Sequence, residues 1–283
     1  MLLIFSAVFM VGIGGLSIAA QRGVQQNSTL PVIRYEGVTS IGLLAPRIGW
    51  AILGGRLVWT KDNGGTWVDV TPPGLTAAML DRGNVFSFLG TQRMWIVTVD
   101  GSKTWDWFSG PPMRIVATQD GGRTWRSRKF DEARFPDLKR TGAFPISLSF
   151  VDSSHGWFLW RCQTSAAFSS GKLLRTDDGG HTWTELPDPP SAGELRFHTP
   201  QDGWMVVGGG NDELSFTHDG GTTWQPKSIP PPSSCLQCRP FFSAPRFQNQ
   251  SDAVMAVTYA DDTAEEGREV NSTYVSHDGG NSW

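Results

Sequence analysis

Five aspartates of this 283-residue chain stand in one recurring phrase, and a repeated carboxylate is the first feature here able to do chemistry. The copies are WTKDNGGTW, ATQDGGRTW, RTDDGGHTW, FTHDGGTTW and VSHDGGNSW, carrying Asp62, Asp120, Asp178, Asp219 and Asp278. Each is followed five residues later by a tryptophan: Trp67, Trp125, Trp183, Trp224 and Trp283. An ionised carboxylate can serve as a base, a metal ligand or a turn acceptor, and its neighbours decide between these roles. Asp accepts hydrogen bonds from backbone N–H groups a few residues on, which closes a tight turn. Gly supplies the positive φ that such a hairpin needs. Flanking Thr or Ser hydroxyls tie off further backbone groups, and Trp opens the next strand with a large ring to bury. The phrase is complete as a hairpin clasp without a ligand. The five aspartates and five tryptophans are therefore read as architectural, and no catalytic, cofactor-binding or metal-binding residue is assigned.

Other reactive types give weaker patterns. His181, His218 and His277 all sit in clasps; equivalent positions on successive repeats are spread apart and cannot converge on one ion. Cys235 and Cys238 form CLQC in a Pro-rich stretch, read as a local disulfide, with Cys162 a buried thiol. One CxxC without a second pair does not make a zinc site. Gly-rich phosphate loops, His-Glu metal motifs and Gly-x-Ser-x-Gly elbows are absent, and no cofactor is expected.

The clasp aspartates are spaced 58, 58, 41 and 59 residues apart, which marks one supersecondary unit repeated with loop insertions. A second phrase precedes the clasp: IGWAIL with Trp50, HGWFLW with Trp157 and DGWMVV with Trp204, each opening an apolar run of strand character. MWIVTV and AVMAVTY take that place in units two and five. Unit three shows four strands in ISLSFV, GWFLWRC, KLLRT and TWTEL. TVDGSKTW nearly repeats the clasp but lies too close to Asp120, and reads as a decorated hairpin inside unit two. The prediction is an all-β chain: a β-propeller of four-stranded antiparallel blades at roughly 38–72, 83–130, 144–187, 192–229 and 240–283. The last blade lacks a strand after Trp283, which would leave a raw sheet edge and an unclosed ring, so the sequence reads as a piece of a longer protein. With 33 Gly and 13 Trp but only 18% charged residues, the composition suits a turn-rich β protein.

The clasp resembles the Asp-box, or bacterial neuraminidase repeat. Combined with the Gly-Trp strand, it is similar to the photosystem II stability and assembly factor family of propellers and their bacterial relatives, over residues 38–283. That resemblance implies a six- or seven-bladed ring, of which this sequence is a piece, and a non-catalytic, protein-binding assembly scaffold. Asp-box propellers also include sialidases, so a sialidase-like exo-glycosidase is the alternative, and a carbohydrate- or cell-surface-binding module the third reading. A sialidase-like site uses three arginines, a tyrosine nucleophile beside a glutamate, and an acid/base aspartate. The Phe-Arg-Ile-Pro signature is absent: VIRYEG and PRIGW are remote echoes, and nothing singles out Tyr35, Tyr259 or Tyr274.

Residues 1–20 are apolar and uncharged, ending in small residues, as in a secretory signal or a single membrane anchor. Residues 21–37 read as a linker or closing strand. An exported protein is expected, periplasmic, extracellular or anchored on the outer side of a membrane, which it touches only through this segment. A net charge of −3 argues against nucleic acid as a partner. Between Arg123 and Arg140, however, seven basic residues face three acidic ones. Arg126, Arg128, Arg134 and Arg140 are candidates for steering an acidic segment of a partner protein. Trp105 and Trp107, in KTWDWFSG, are candidates for stacking on a sugar or partner.

Overall fold

The computed structural model describes residues 37–80, 85–99, 113–131, 134–135, 144–163, 169–207, 213–261 and 268–283. The N-terminal segment to residue 36, with Tyr35, and also the near-clasp hairpin, Trp105, Trp107 and Arg140 lie outside the described residues. Five antiparallel four-stranded sheets form in a propeller arrangement. Blade 1 comprises β1 (Val38–Ala45), β2 (Ile48–Leu53), β3 (Arg56–Thr60) and β4 (Val68–Asp69). Blade 2 comprises β5 (Val85–Leu89), β6 (Arg93–Val99), β7 (Met113–Thr118) and β8 (Arg126–Lys129). In blade 3 the strands are β9 (Phe144–Phe150), β10 (Gly156–Gln163), β11 (Ser169–Thr176) and β12 (Thr184–Glu185). Blade 4 has β13 (Leu195–Phe197), β14 (Gly203–Val207), β15 (Glu213–Thr217) and β16 (Gln225–Pro226).

Blade 5 departs from the plan. Its inner strand is broken into β17 (Arg239–Phe242) and β18 (Arg246–Phe247), both paired with one edge of β19 (Ala253–Asp261), while β20 (Arg268–Ser276) takes the other edge. Pro245 lies in the break, where a residue without an N–H cannot continue a ladder. A short helix, α1 (Ala77–Leu80), lies in the connection between blades 1 and 2.

The clasps are five copies of one hydrogen-bond net. In blade 3 the hydroxyl of Thr176 accepts the Gly180 N–H at 2.9 Å and donates to Asp178 Oδ1 at 2.8 Å. Asp178 Oδ1 also accepts the Thr182 N–H at 2.8 Å, and Oδ2 accepts the Thr182 hydroxyl at 2.6 Å. Thr60, Thr118, Thr217 and Ser276 repeat the first role. Asp62, Asp120, Asp219 and Asp278 repeat the second. The first turn residue then ties the clasp to the turn between its blade's first two strands, as in Gly179 N–H to Ser154 O at 2.8 Å and Gly220 N–H to Gln201 O at 2.8 Å. Asn63 replaces that glycine in blade 1 at φ 60°, a left-handed conformation that Asn tolerates. The second glycine is more constrained: at Gly280, φ is +90° and a Cβ would lie 2.4 Å from the Trp204 ring.

Neighbouring blades interlock through the same net. The buried Trp157 of β10 stacks on Phe197 of the next blade at 3.6 Å and 5°, and its indole N–H donates to the clasp carbonyl of Gly220 at 2.8 Å. Trp95 of β6 repeats this on Phe150, at 4.0 Å and 5°, with its N–H on Gly179 O at 3.1 Å. The clasp tryptophan meets the same phenylalanine edge-on: Trp183 against Phe150 and Trp224 against Phe197. Innermost strands are bridged by serine. Ser87 Oγ accepts the Phe150 N–H, and Ser149 Oγ accepts the Phe197 N–H, each at 2.9 Å. Buried edge groups are thereby satisfied without a continuous sheet.

The net divides its labour unevenly. The N–H groups held by Asp178 lie at the exposed end of the turn, whereas the Gly180 N–H is buried and depends on Thr176, which is 1% exposed. Thr176→Val should therefore destabilise by about 1–3 kcal/mol, the cost of an orphaned buried donor, and Asp178→Ala by about 1 kcal/mol, that of a typical solvent-accessible bond. Urea unfolding of both variants checks the order; equal losses, or a larger loss in Asp178→Ala, would contradict it.

Candidate functional site

The five clasp carboxylates are unsuited to acid–base work. Each is held down from the ordinary 3.8 to about 2. For Asp62, Asp120 and Asp278 the chief cause is the hydroxyl of Thr66, Thr124 or Ser282. At Asp178 and Asp219 partial burial pushes upward and is overcome by hydrogen bonds from Thr182 and Thr223. Their lone pairs are occupied, and each belongs to a different blade.

The position eight residues after each clasp aspartate is more informative. There the strand leaving the clasp faces the next blade's clasp. In blades 1 and 3 it holds Val70 and Leu186, whose side chains seal the seam: a Cβ on Gly122 would lie 2.7 Å from Val70, and one on Gly221 would lie 3.3 Å from Leu186. In blades 2 and 4 the same position holds Arg128 and Lys227. Those two seams, 2/3 and 4/5, open into clefts of about 270 Å³ and about 150 Å³.

The larger cleft collects part of the basic patch expected from sequence. Its rim carries Arg128, Arg134 and His181, and its floor is Ile115, Phe130, Phe135 and Trp183. Phe130 and Phe135 stack at 5.5 Å and 18°, packing against Phe158 and Trp160 of blade 3. Arg126 and Arg128 pair with Ala117 and Ile115, so both project from one face of β8, towards blade 3. Arg126, Arg128, Lys129 and Arg134 are all exposed, and none has an ion-pair partner among the described residues. Asp131 is the one acidic residue on the cleft wall among those described.

The clasp histidines find unexpected partners. His218 Nδ1 lies 2.6 Å from Asp202, and His277 Nδ1 lies 2.7 Å from Asp252, each tying a clasp to the turn of its own blade. Their positions are those of surface turns, and among the described residues no cluster suits a metal ion. Tyr259 is 1% exposed, and its phenol lies 2.8 Å from that of Tyr274, which donates to Pro230 O. Burial, then the bond to Tyr274, push the Tyr259 pKa up, the opposite of what a nucleophile requires. Cys235 and Cys238 are joined in a disulfide within the connection between blades 4 and 5.

The inner strands carry one further constellation. Opposite the Gly-Trp position stand Gly42, Ser87, Ser149, Arg196 and Arg246 in blades 1 to 5. Arginine thus occurs in two adjacent blades, with Glu194 2.9 Å from Arg196. Neither arginine stands in a motif of its own; only alignment of the repeats on their Gly-Trp strands brings the pair out.

No protein-family model matches the chain, and no curated protein sequence does. Solved structures are similar to it. Trypanosoma rangeli sialidase in complex with the inhibitor DANA superposes with a TM-score of 0.50 at 12% identity, over 83% of this chain and 46% of that one. An ulvan lyase of polysaccharide lyase family PL25 gives 0.46 at 12%, covering 84% and 64%. An ancestral GH74 enzyme gives 0.43 at 12%, covering 85% and 33%. The chain spans less than half the length of the sialidase chains it matches. At these identities the likeness is one of fold, that of sialidase-like β-propellers.

The clasp carboxylates set an acid limit on stability. Their folded pKa lies below the ordinary value, so between the two the unfolded chain binds more protons. The stabilisation is complete above about pH 4 and is lost as the pH falls through about 2. The melting temperature should drop across that window; a flat profile from pH 4 to 2 would show that the clasps carry no such linkage.

Proposed function

We propose that this protein is an exported, non-catalytic scaffold that binds an acidic segment of a partner protein at the 2/3 seam. One observation carries this reading: a cleft with an aromatic floor opens where Arg128 replaces an aliphatic seal, and cations without an ion-pair partner among the described residues border it. Arginine suits the role, because its planar fork pairs bidentately with carboxylates and stacks on rings. The aromatic floor offers an anchor site for an apolar side chain beside the charges, the pattern of a binding hot spot. A disulfide between Cys235 and Cys238 agrees with an oxidising compartment. Kinship with photosystem II assembly factors would place the partner among newly made membrane proteins.

A sialidase-like exo-glycosidase is the second reading, favoured by Arg196 and Arg246 at equivalent inner-strand positions beside Glu194. Against it, the same position in blades 1 to 3 holds Gly42, Ser87 and Ser149, and both serines are used to bridge blades.

Changing Arg126, Arg128 and Arg134 together to glutamate should abolish capture of the partner from the native host, with melting temperature unchanged. Capture of the same partner at equal affinity and equal salt dependence would reduce the patch to solvated surface. Turnover of a fluorogenic sialoside that is lost in Arg196→Ala would establish the second reading in its place.

A further inference from the structure

The 4/5 seam differs from the sealed 3/4 seam at both its ends. At the outer end Lys227 stands where Leu186 and Val70 seal their seams, and Gln225 stands two residues before it. At the inner end Arg196 replaces the bridging serines of blades 2 and 3. His198, rather than a tryptophan, covers the next blade's inner-strand phenylalanine, stacking on Phe247 at 3.6 Å and 3°. A cleft of about 150 Å³ results, lined by Lys227, Gln225, His198 and His218 beside Asp202 and the rings of Trp204 and Phe216.

We propose that this cleft binds a small oxyanion, a carboxylate or a phosphate group, with Lys227 as its principal cation. The proposal does not depend on what the 2/3 cleft binds. Three observations support it. Lys227 faces no carboxylate among the described residues: Nζ donates to the Asn281 carbonyl at 2.6 Å and lies 5.7 Å from the Phe216 ring centre, leaving donors to spare. The acid on the cleft wall, Asp202, is occupied by His218 at 2.6 Å and by the Thr199 hydroxyl at 2.7 Å. His198 lines the cleft, and its buried Nδ1 atom has no hydrogen-bond partner among the described residues, so the ring is not held by the protein at that atom. A cleft of about 150 Å³ has room for one carboxylate or phosphate group. The sealed seams act as internal controls, since an aliphatic residue at the Lys227 position fills the space against the facing clasp.

The test is an NMR titration of the histidine ring signals of the full chain, with sodium phosphate and separately with sodium acetate, at constant ionic strength. His198 and His218 should shift saturably. Saturation with phosphate alone assigns a phosphate ligand, and saturation with acetate as well assigns a carboxylate. Lys227→Met should weaken the saturable shift by at least about tenfold, the loss of one charge-assisted bond, and Lys227→Arg should retain it. Lys227→Leu restores the seal of blade 3, so it should raise the melting temperature while abolishing the shift. Absence of saturation with both anions, or affinity equal to that of the unaltered protein in Lys227→Met and Lys227→Leu, would overturn the proposal.

Discussion

An indole N–H that must reach the clasp carbonyl of the next blade fixes how closely two blades can stand. Trp157 meets this condition at 2.8 Å from Gly220 O and Trp95 at 3.1 Å from Gly179 O, each with its ring flat against a phenylalanine of the same neighbour. The carbonyl is in place because Asp and Thr hold the turn, and the turn fits because glycine accepts positive φ. A large buried ring and its one polar atom are satisfied together, as a core tryptophan requires. At the 2/3 and 3/4 seams the serine bridges span the same gap.

With the spacing fixed, a single side chain decides whether a seam is closed. Val70 and Leu186 reach the facing clasp and fill the space, while Arg128 and Lys227 turn it into clefts open to polar guests. Burying an aliphatic side chain there would contribute roughly 1.5–3 kcal/mol. A basic residue forgoes that gain, and it does so at two of the seams. Functional chemistry on a scaffold of repeats is expected at such departures from the stabilising choice. The clasps themselves are the wrong place to look, since their carboxylates are engaged on both oxygens.

Much of this was legible in the residues. The clasp phrase indicated strand number, turn type and blade count, because Asp, Gly and Trp each have one local role there. The charge run at Arg126–Arg134 was visible as a basic patch, because several like charges stand close in sequence, whereas the cleft beside it was not. Lys227 carries no such signal on its own; it stands out only when the four strands are aligned eight residues after their aspartates. The serine bridges of Ser87 and Ser149, and the pairing of His218 with Asp202, depend on tertiary register, which propensity does not encode. The broken inner strand of blade 5 departs from the expected repeat, although Pro245 is the residue type that would announce it.

The dependence of one blade on the next can be measured directly by a double-mutant cycle on Trp157 and Phe197, each changed to leucine singly and together, with urea unfolding of the full chain as readout. A coupling of about 0.5–1.5 kcal/mol is expected for a stacked aromatic pair in register with its clasp. Single losses that add to within about 0.3 kcal/mol would mean that the two rings are independent, and that something other than this interlock holds the blades at their spacing.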